Sequence, residues 1–242
     1  GVTVGSQGRP SRNQTFGGGP YAEAQGEPAG CRRGPSSTGP VKSLRFPELT
    51  QRGLPHFFTL RQPIPPESSQ LSGELQGEGF PTAMVSAEQV HGAGVAKVGR
   101  GDAGQIIPQA DALISSETGI SLVVRVADCG PVWLHCAKTG AVGLVHSGRK
   151  GTEQGIVPAT IRAMKKEFGA DPARMLGLLG PCIRPPHYDV NFAGEIARQM
   201  KAEGVAEIVD SGLCTASDPG RFYSYRREKG QTGRHFAVLA KM

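Results

Sequence analysis

The chain has 242 residues, with 27 Lys and Arg against 21 Asp and Glu, a formal net charge of +6. Hydrophobic residues are 38% and charged residues 20%, the balance of a soluble domain with its own core. No apolar run reaches the roughly 18 residues of a membrane-spanning helix. No charged-then-apolar leader is visible at the N-terminus, and the basic excess is scattered rather than gathered into a nucleic-acid-binding arm. A membrane span, classical secretion and nucleic acid as a partner are therefore not expected. Cys31, Cys129, Cys136, Cys182 and Cys214 are an odd set without a CxxC pair. That argues against a disulfide framework or a four-Cys zinc knuckle and favours a reducing, cytoplasmic setting.

Residues 1–40 contain ten Gly and five Pro and no Leu, Ile or Met. Such a segment buries too little apolar surface to offset the entropy of ordering, so a disordered tail is expected over 1–43 and one folded domain over 44–242. Pro63–Gly79, rich in Pro, Ser, Gly and Glu, reads as a loop. Ile120–Ala127 is nearly all apolar and β-branched, the composition of a strand buried on both faces, and Asp128–Pro131 breaks it. Val132–Cys136 and Ala141–His146 read as two strands joined by the turn Ala137–Gly140. After a Gly-bearing SGRKGT loop, Val157, Ile161, Met164 and Phe168 give one helical stripe. Pro158 places the start of that helix near Thr152–Gly155, and Gly169 and Pro172 end it. Phe222 and Ser224 read as strand residues. Strands and helices mix without a strict βαβ rhythm, so the expected class is α/β (α+β), a single domain with a mixed sheet.

The hairpin carries a geometric consequence. With its turn centred on Lys138–Thr139, His146 falls opposite Pro131–Val132, two or three residues from Cys129. A thiolate and an imidazole then share one end of the sheet, a donor pair suited to zinc. His91, followed by Gly92, is the best third ligand, and three ligands with an open fourth position describe a catalytic site. Taken alone the pattern also fits a small core cysteine and a structural histidine. His135 and Cys136 alternate on their strand and so cannot enter one pocket together. Cys136 and Cys182 read as core. Asp128 fits either an acceptor for a metal-bound imidazole or a cap for its turn, and His187 and Tyr188 fit either the pocket wall or a surface turn.

The segments QVHG (89–92), ADAL (110–113), VADCGPVWL (126–134), GLVHSGRKG (143–151), LGPCIRPPHYDV (179–190) and CT…RFYSYRREKGQTGR (214–234) occur in the order of a known family. In them the chain resembles the polyphenol oxidase laccase-domain proteins, also described as zinc-dependent purine nucleoside phosphorylases. The resemblance covers about 45–242. It implies a single-domain mixed β-sheet sandwich flanked by helices, of the YfiH-like or cytotoxic-necrotizing-factor-like kind. It also implies a Zn²⁺ ion (Cu²⁺ as the alternative) on His91, Cys129 and His146, the same three residues reached from the hairpin. The implied chemistry is phosphorolysis of purine nucleosides to base and ribose 1-phosphate, with adenosine deamination alongside.

Metal-activated water would serve deamination, while phosphorolysis needs a phosphate site. SGRKG at a helix N-terminus, with Ser147, Arg149 and Lys150, is the expected one. Tyr223, Tyr225 and Arg227 are expected to stack on the purine or close the pocket. Two departures stand out. The family usually has His-Ala-Gly-Trp-Arg-Gly where this chain has His146–Gly151 as HSGRKG, and Lys150 lacks the bidentate reach of an arginine. An expected TR-GG-S stretch is also replaced by FFTLRQPIPP, in which Arg61 is the candidate to keep the arginine's role. A four-copper laccase needs on the order of ten histidines, and the chain has six. Copper-dependent phenol oxidation and a non-catalytic nucleoside-binding protein are the rival readings.

Overall fold

The computed structural model describes residues 42–62 and 68–242. In chain order the strands are β1 (Ser43–Leu44), β2 (His56–Thr59), β3 (Met84–Ala87), β4 (Val95–Lys97), β5 (Ile106–Ile107), β6 (Ala112–Ser115), β7 (Ile120–Val126), β8 (Gly130–Cys136), β9 (Val142–Ser147), β10 (Met175–Leu179), β11 (Glu207–Asp210) and β12 (His235–Lys241). The helices are α1 (Pro47–Thr50), α2 (Ser68–Gly77), α3 (Arg149–Glu153), α4 (Ile156–Phe168) and α5 (Phe192–Ala202). The strands form two six-stranded mixed sheets, ordered β1-β2-β12-β7-β3-β5 and β11-β10-β8-β9-β6-β4.

Side-chain alternation builds three apolar layers from these sheets. Leu122, Val124 and Val126 of β7 face Trp133, Leu144 and Leu178 across the space between the sheets. The Trp133 indole N–H donates to the Val238 carbonyl at 2.9 Å, tying one sheet to the other. Val132, Leu134 and Cys136, on the opposite face of β8, pack under α4 and α5. Val157, Ile161 and Met164 of α4 supply that contact, as their spacing predicts. Val123 and Phe236 face outward on the first sheet and are covered by Leu71 and Leu75 of α2. The molecule is thus a mixed-sheet sandwich with helices on both outer faces.

Several sequence expectations are corrected. Pro63–Gly79 is not all loop: α2 forms because Leu71 and Leu75, one turn apart, dock on Phe57, Phe80 and Val238, and burial outweighs the weak helix formers around them. Residues 63–67 lie outside the described residues. The break after β7 is shorter than expected, since Gly130 and Pro131 already pair with Ser147 and His146. The SGRKGT loop contains α3, and Gly155 in the left-handed region (φ +74°) separates it from α4. Phe222 and Ser224 are buried but belong to no strand; the chain there enters a turn running to Gly230. Of the expected tail 1–43, residues 1–41 lie outside the described residues, while Ser43 pairs with Thr59.

Candidate functional site: a His-Cys-His cluster in a basic cleft

At one end of the sandwich the interior opens into a cleft of about 840 Å³. Pairing of β8 with β9 sets His146 opposite Pro131, the register expected from the turn, and Cys129 immediately precedes β8. Gly148 makes room for the sulfur, because a Cβ there would collide with Cys129 Sγ. His91 arrives on the connection between β3 and β4, with its ring edge-on to His146 at 4.9 Å between centroids. One ligand atom from each of His91, Cys129 and His146 lies within 4.8 Å of the others. Among the described residues this is the only such cluster of three potential ligands.

Asp111 organises the cluster, a role for which the sequence offered Asp128 as one of two readings of that residue. The buried Asp111 carboxylate accepts the His146 Nδ1–H at 2.8 Å, the His91 N–H at 3.0 Å and the Gly92 N–H at 2.8 Å. Its preference for His146 Nδ1 leaves Nε2 as the free ring nitrogen. The same bonds hold His91 in the left-handed region (φ +62°), an uncommon state for a residue with a Cβ. Gln89, also left-handed (φ +68°), exchanges side-chain hydrogen bonds with both backbone groups of Arg125 and fastens the loop to β7. Asp128 takes neither expected role: its oxygens accept the Thr215 hydroxyl at 2.6 Å and the Arg226 N–H at 2.8 Å, tying its turn to distant segments.

The electrostatics are those of a thiolate–imidazolium pair, whose proton a bound cation would displace. Burial raises the Cys129 thiol, but hydrogen bonds from His146 and His91 overcome this and bring it down to about 6, so the thiolate prevails at neutral pH. Burial lowers His146, and Asp111 with Cys129 overcome that, raising it to about 9. A thiolate and two imidazoles, one already oriented by a carboxylate, are the donor types of a zinc or copper site. Bonds of roughly 2.0–2.3 Å to one ion span the observed spread with small side-chain movements. The residues present therefore fit a metal ion.

The other expected site residues divide. Arg149 and Tyr225 line the cleft, as does Tyr188. Ser147 does not: its hydroxyl is buried against Thr152 Oγ1 at 2.9 Å. Lys150 is exposed beyond the cleft wall. Arg61 lies away from the cleft, ion-paired with Glu228 and stacked on Tyr223. Arg227 spends its guanidinium on the carbonyls of Thr215, Ala216 and Phe222, which makes it a brace for the turn. Its neighbour Arg226 faces the cleft instead, with Arg125, Lys229 and Arg234. Tyr223 is buried, donating to the Gln62 carbonyl at 3.1 Å, and His187 is exposed outside the cleft lining. Cys136 and Cys182 are core residues, and burial pushes Cys182 up to about 12. No helix among the described residues is long and apolar enough to cross a membrane.

Comparison with known proteins agrees with this architecture. A curated purine nucleoside phosphorylase of Streptomyces coelicolor is 34% identical over 180 residues, 64% of this chain and 73% of that protein. One of Corynebacterium glutamicum is 36% identical over 186 residues, 66% and 74% of the two chains. The crystal structure of YlmD from Geobacillus stearothermophilus superposes with a TM-score of 0.76 at 24% identity, covering 85% of this chain and 98% of that one. Residues 73–195 and 191–241 match the family described as multi-copper polyphenol oxidoreductase laccase. The chain belongs to that laccase-like enzyme family.

Proposed function

We propose that the chain is a zinc-dependent purine nucleoside phosphorylase, acting in the cytoplasm on adenosine, inosine, guanosine or 5′-methylthioadenosine, and that it also deaminates adenosine. The observation that carries this reading is the placement of His91, Cys129 and His146 on the wall of a cleft of nucleoside dimensions. The names of its curated relatives point the same way. A bound zinc would supply Lewis acidity and lower the pKa of coordinated water. His91, Cys129 and His146 would hold it, and Asp111 keeps the His146 Nε2 lone pair aimed at it.

The rest of the cleft suits the other reactant groups. Tyr188 and Tyr225 offer aromatic faces to a purine, with Ile183 and Phe192 forming an apolar wall. The basic residues favour a phosphate. In phosphorolysis a phosphate oxygen bonds to C1′ as the glycosidic bond breaks, and the bond's electron pair leaves with the purine, which takes up a proton. Copper is the second reading for the metal, because the family's description carries it and the same donors bind it well. Six histidines still fall short of a four-copper centre in one chain.

Chromatography of adenosine incubated with the protein, with and without phosphate, tests the proposal. Adenine formed only with phosphate, inosine formed without it, and neither from Cys129→Ala is the expected result. Unchanged adenosine under every condition would contradict it.

A further inference from the structure

Arginines in most of the structure are neutralised by carboxylates: Arg45 by Glu78, Arg52 by Glu207, Arg61 by Glu228, Arg184 by Asp210 and Arg198 by Glu195. Among the described residues, only Arg125, Arg174, Arg226 and Arg234 lack a carboxylate within 4.0 Å. Three of these four line the cleft, together with Lys229. The same wall holds the carboxylates of Glu88 and Asp128, which the cations outnumber and which bond to neutral donors rather than to these guanidinium groups. Glu88 accepts the Gln109 N–H at 2.7 Å, and both Asp128 oxygens are bonded to Thr215 and Arg226 N–H.

From this concentration of uncompensated charge we infer that Arg125, Arg226 and Arg234, with Lys229, form an oxyanion site that takes a phosphate group. Like charges gathered in a concave wall raise one another's potential, and a dianion relieves that repulsion. Guanidinium edges also match phosphate oxygens two at a time. The site is built rather than incidental. Arg226 lies over the Tyr188 ring and Arg234 over the Tyr225 ring, each 5.5 Å from the centroid. These cation–π contacts restrain each guanidinium near its ring without using its N–H donors. Arg234 uses Nη1 on the carbonyls of Thr232 and Gly233, at 3.3 and 3.1 Å.

The segment presenting Arg226 and Lys229 is locked as well. Asp128 holds the Arg226 N–H, Glu228 accepts the Ser224 N–H at 2.9 Å, and the Gly230 N–H donates to the Tyr225 carbonyl at 2.9 Å. By contrast, Arg149 is paired with Glu153 at 2.8 Å and Lys150 lies outside the cleft. The phosphate site therefore sits on the turn before β12 and the end of β7, not on the segment from Ser147 to Lys150. Its identification with the phosphate co-substrate rests on the function proposed above; its preference for a phosphate group does not.

Isothermal titration of the metal-loaded full chain with inorganic phosphate, adenosine 5′-monophosphate and adenosine tests this. Arg226→Gln and Arg234→Gln are each expected to weaken phosphate-group binding roughly tenfold or more, the scale of one charge-assisted contact. Arg125→Gln, on a different element, should act in the same direction, while Lys150→Gln and Arg149→Gln change it less than about threefold. Unaltered circular dichroism and an unaltered zinc content in the arginine variants show that the fold and the metal cluster are intact. Loss confined to inorganic phosphate assigns the site to the free anion, and loss confined to the monophosphate assigns it to a phosphoester on the substrate; both support the site. Unchanged affinity for both anions in all three variants, or loss only in Arg149→Gln and Lys150→Gln, overturns it. Phosphate binding without any phosphorolysis would overturn the proposed function and leave this site standing.

Discussion

The cleft wall at β9 and the flank where β12 begins each bury a histidine, His146 and His235, and treat it in opposite ways. Around His146 stand a carboxylate and a thiol, which bond to its ring and push it up to about 9 despite burial. The hydrogen-bond partners of His235 are neutral backbone groups: the Tyr223 N–H donates to Nε2 at 2.8 Å, and Nδ1 donates to the Thr59 carbonyl at 2.6 Å, while the opposed charges of Arg61 and Glu228 act only from a distance. There burial dominates, and the ring falls to about 4. His56 repeats the second arrangement, with Phe46 N–H on Nε2 and the Leu54 carbonyl on Nδ1. Burial alone thus does not separate the histidine of the candidate metal cluster from those of the core; the charge on its hydrogen-bond partners does.

The sharpest way to break this comparison is to remove ligands. On the proposed function, Cys129→Ala and His146→Ala should each lower phosphorolysis at least about a thousandfold, because a metal held there would lose a donor and its Lewis acidity with it. His235→Ala should leave the per-molecule rate of folded protein within about threefold, since its partners are backbone groups of the core rather than of the cleft. A similar fall for His235→Ala in steady-state assays would erase the distinction.

Asp111→Asn comes next. An amide cannot accept all three N–H groups that the carboxylate now receives, so the His146 tautomer and the His91 loop both loosen. Zinc affinity, read by competition with a chromogenic chelator, should drop about 10–100-fold. An unchanged affinity would remove Asp111 from the account.

Stability against pH sharpens the other half. His235 has a folded pKa of about 4 against an ordinary value of 6.5, so between these values the unfolded chain binds the extra proton. Its stabilising contribution is complete above pH 6.5 and is lost as pH falls toward 4, about 3 kcal/mol in full. Urea unfolding of wild type and His235→Gln across that window should show the acid-side slope shrinking in the variant. An identical slope would mean that other groups carry it. The smallest effect belongs to Arg149→Gln, whose exposed i,i+4 partner Glu153 is screened by water; the thermal midpoint should stay within the error of the scan.

How much of this was legible in the sequence follows from how local each signal is. The β8–β9 hairpin announced its own turn, so its register and the approach of His146 to Cys129 could be counted off. The helical stripe of α4 was equally plain. The organising role of Asp111 was not, because ADAL lies 35 residues from His146 and only the β6–β9 pairing brings them together. The choice between Arg226 and Arg227 depended on a turn that looked like an alternating strand, and one residue of slip reverses which arginine faces the cleft. Helix α2 was hidden because two leucines among Ser, Gly and Gln make a weak local pattern that becomes stable only against the first sheet.

The most direct test of the central claim is a zinc titration of metal-stripped protein, following phosphorolysis of inosine and bound metal together. Both are expected to saturate at one zinc per chain, and Cys129→Ser is expected to abolish the shared endpoint. Full activity in the stripped protein, or saturation unaffected by Cys129→Ser, would contradict it.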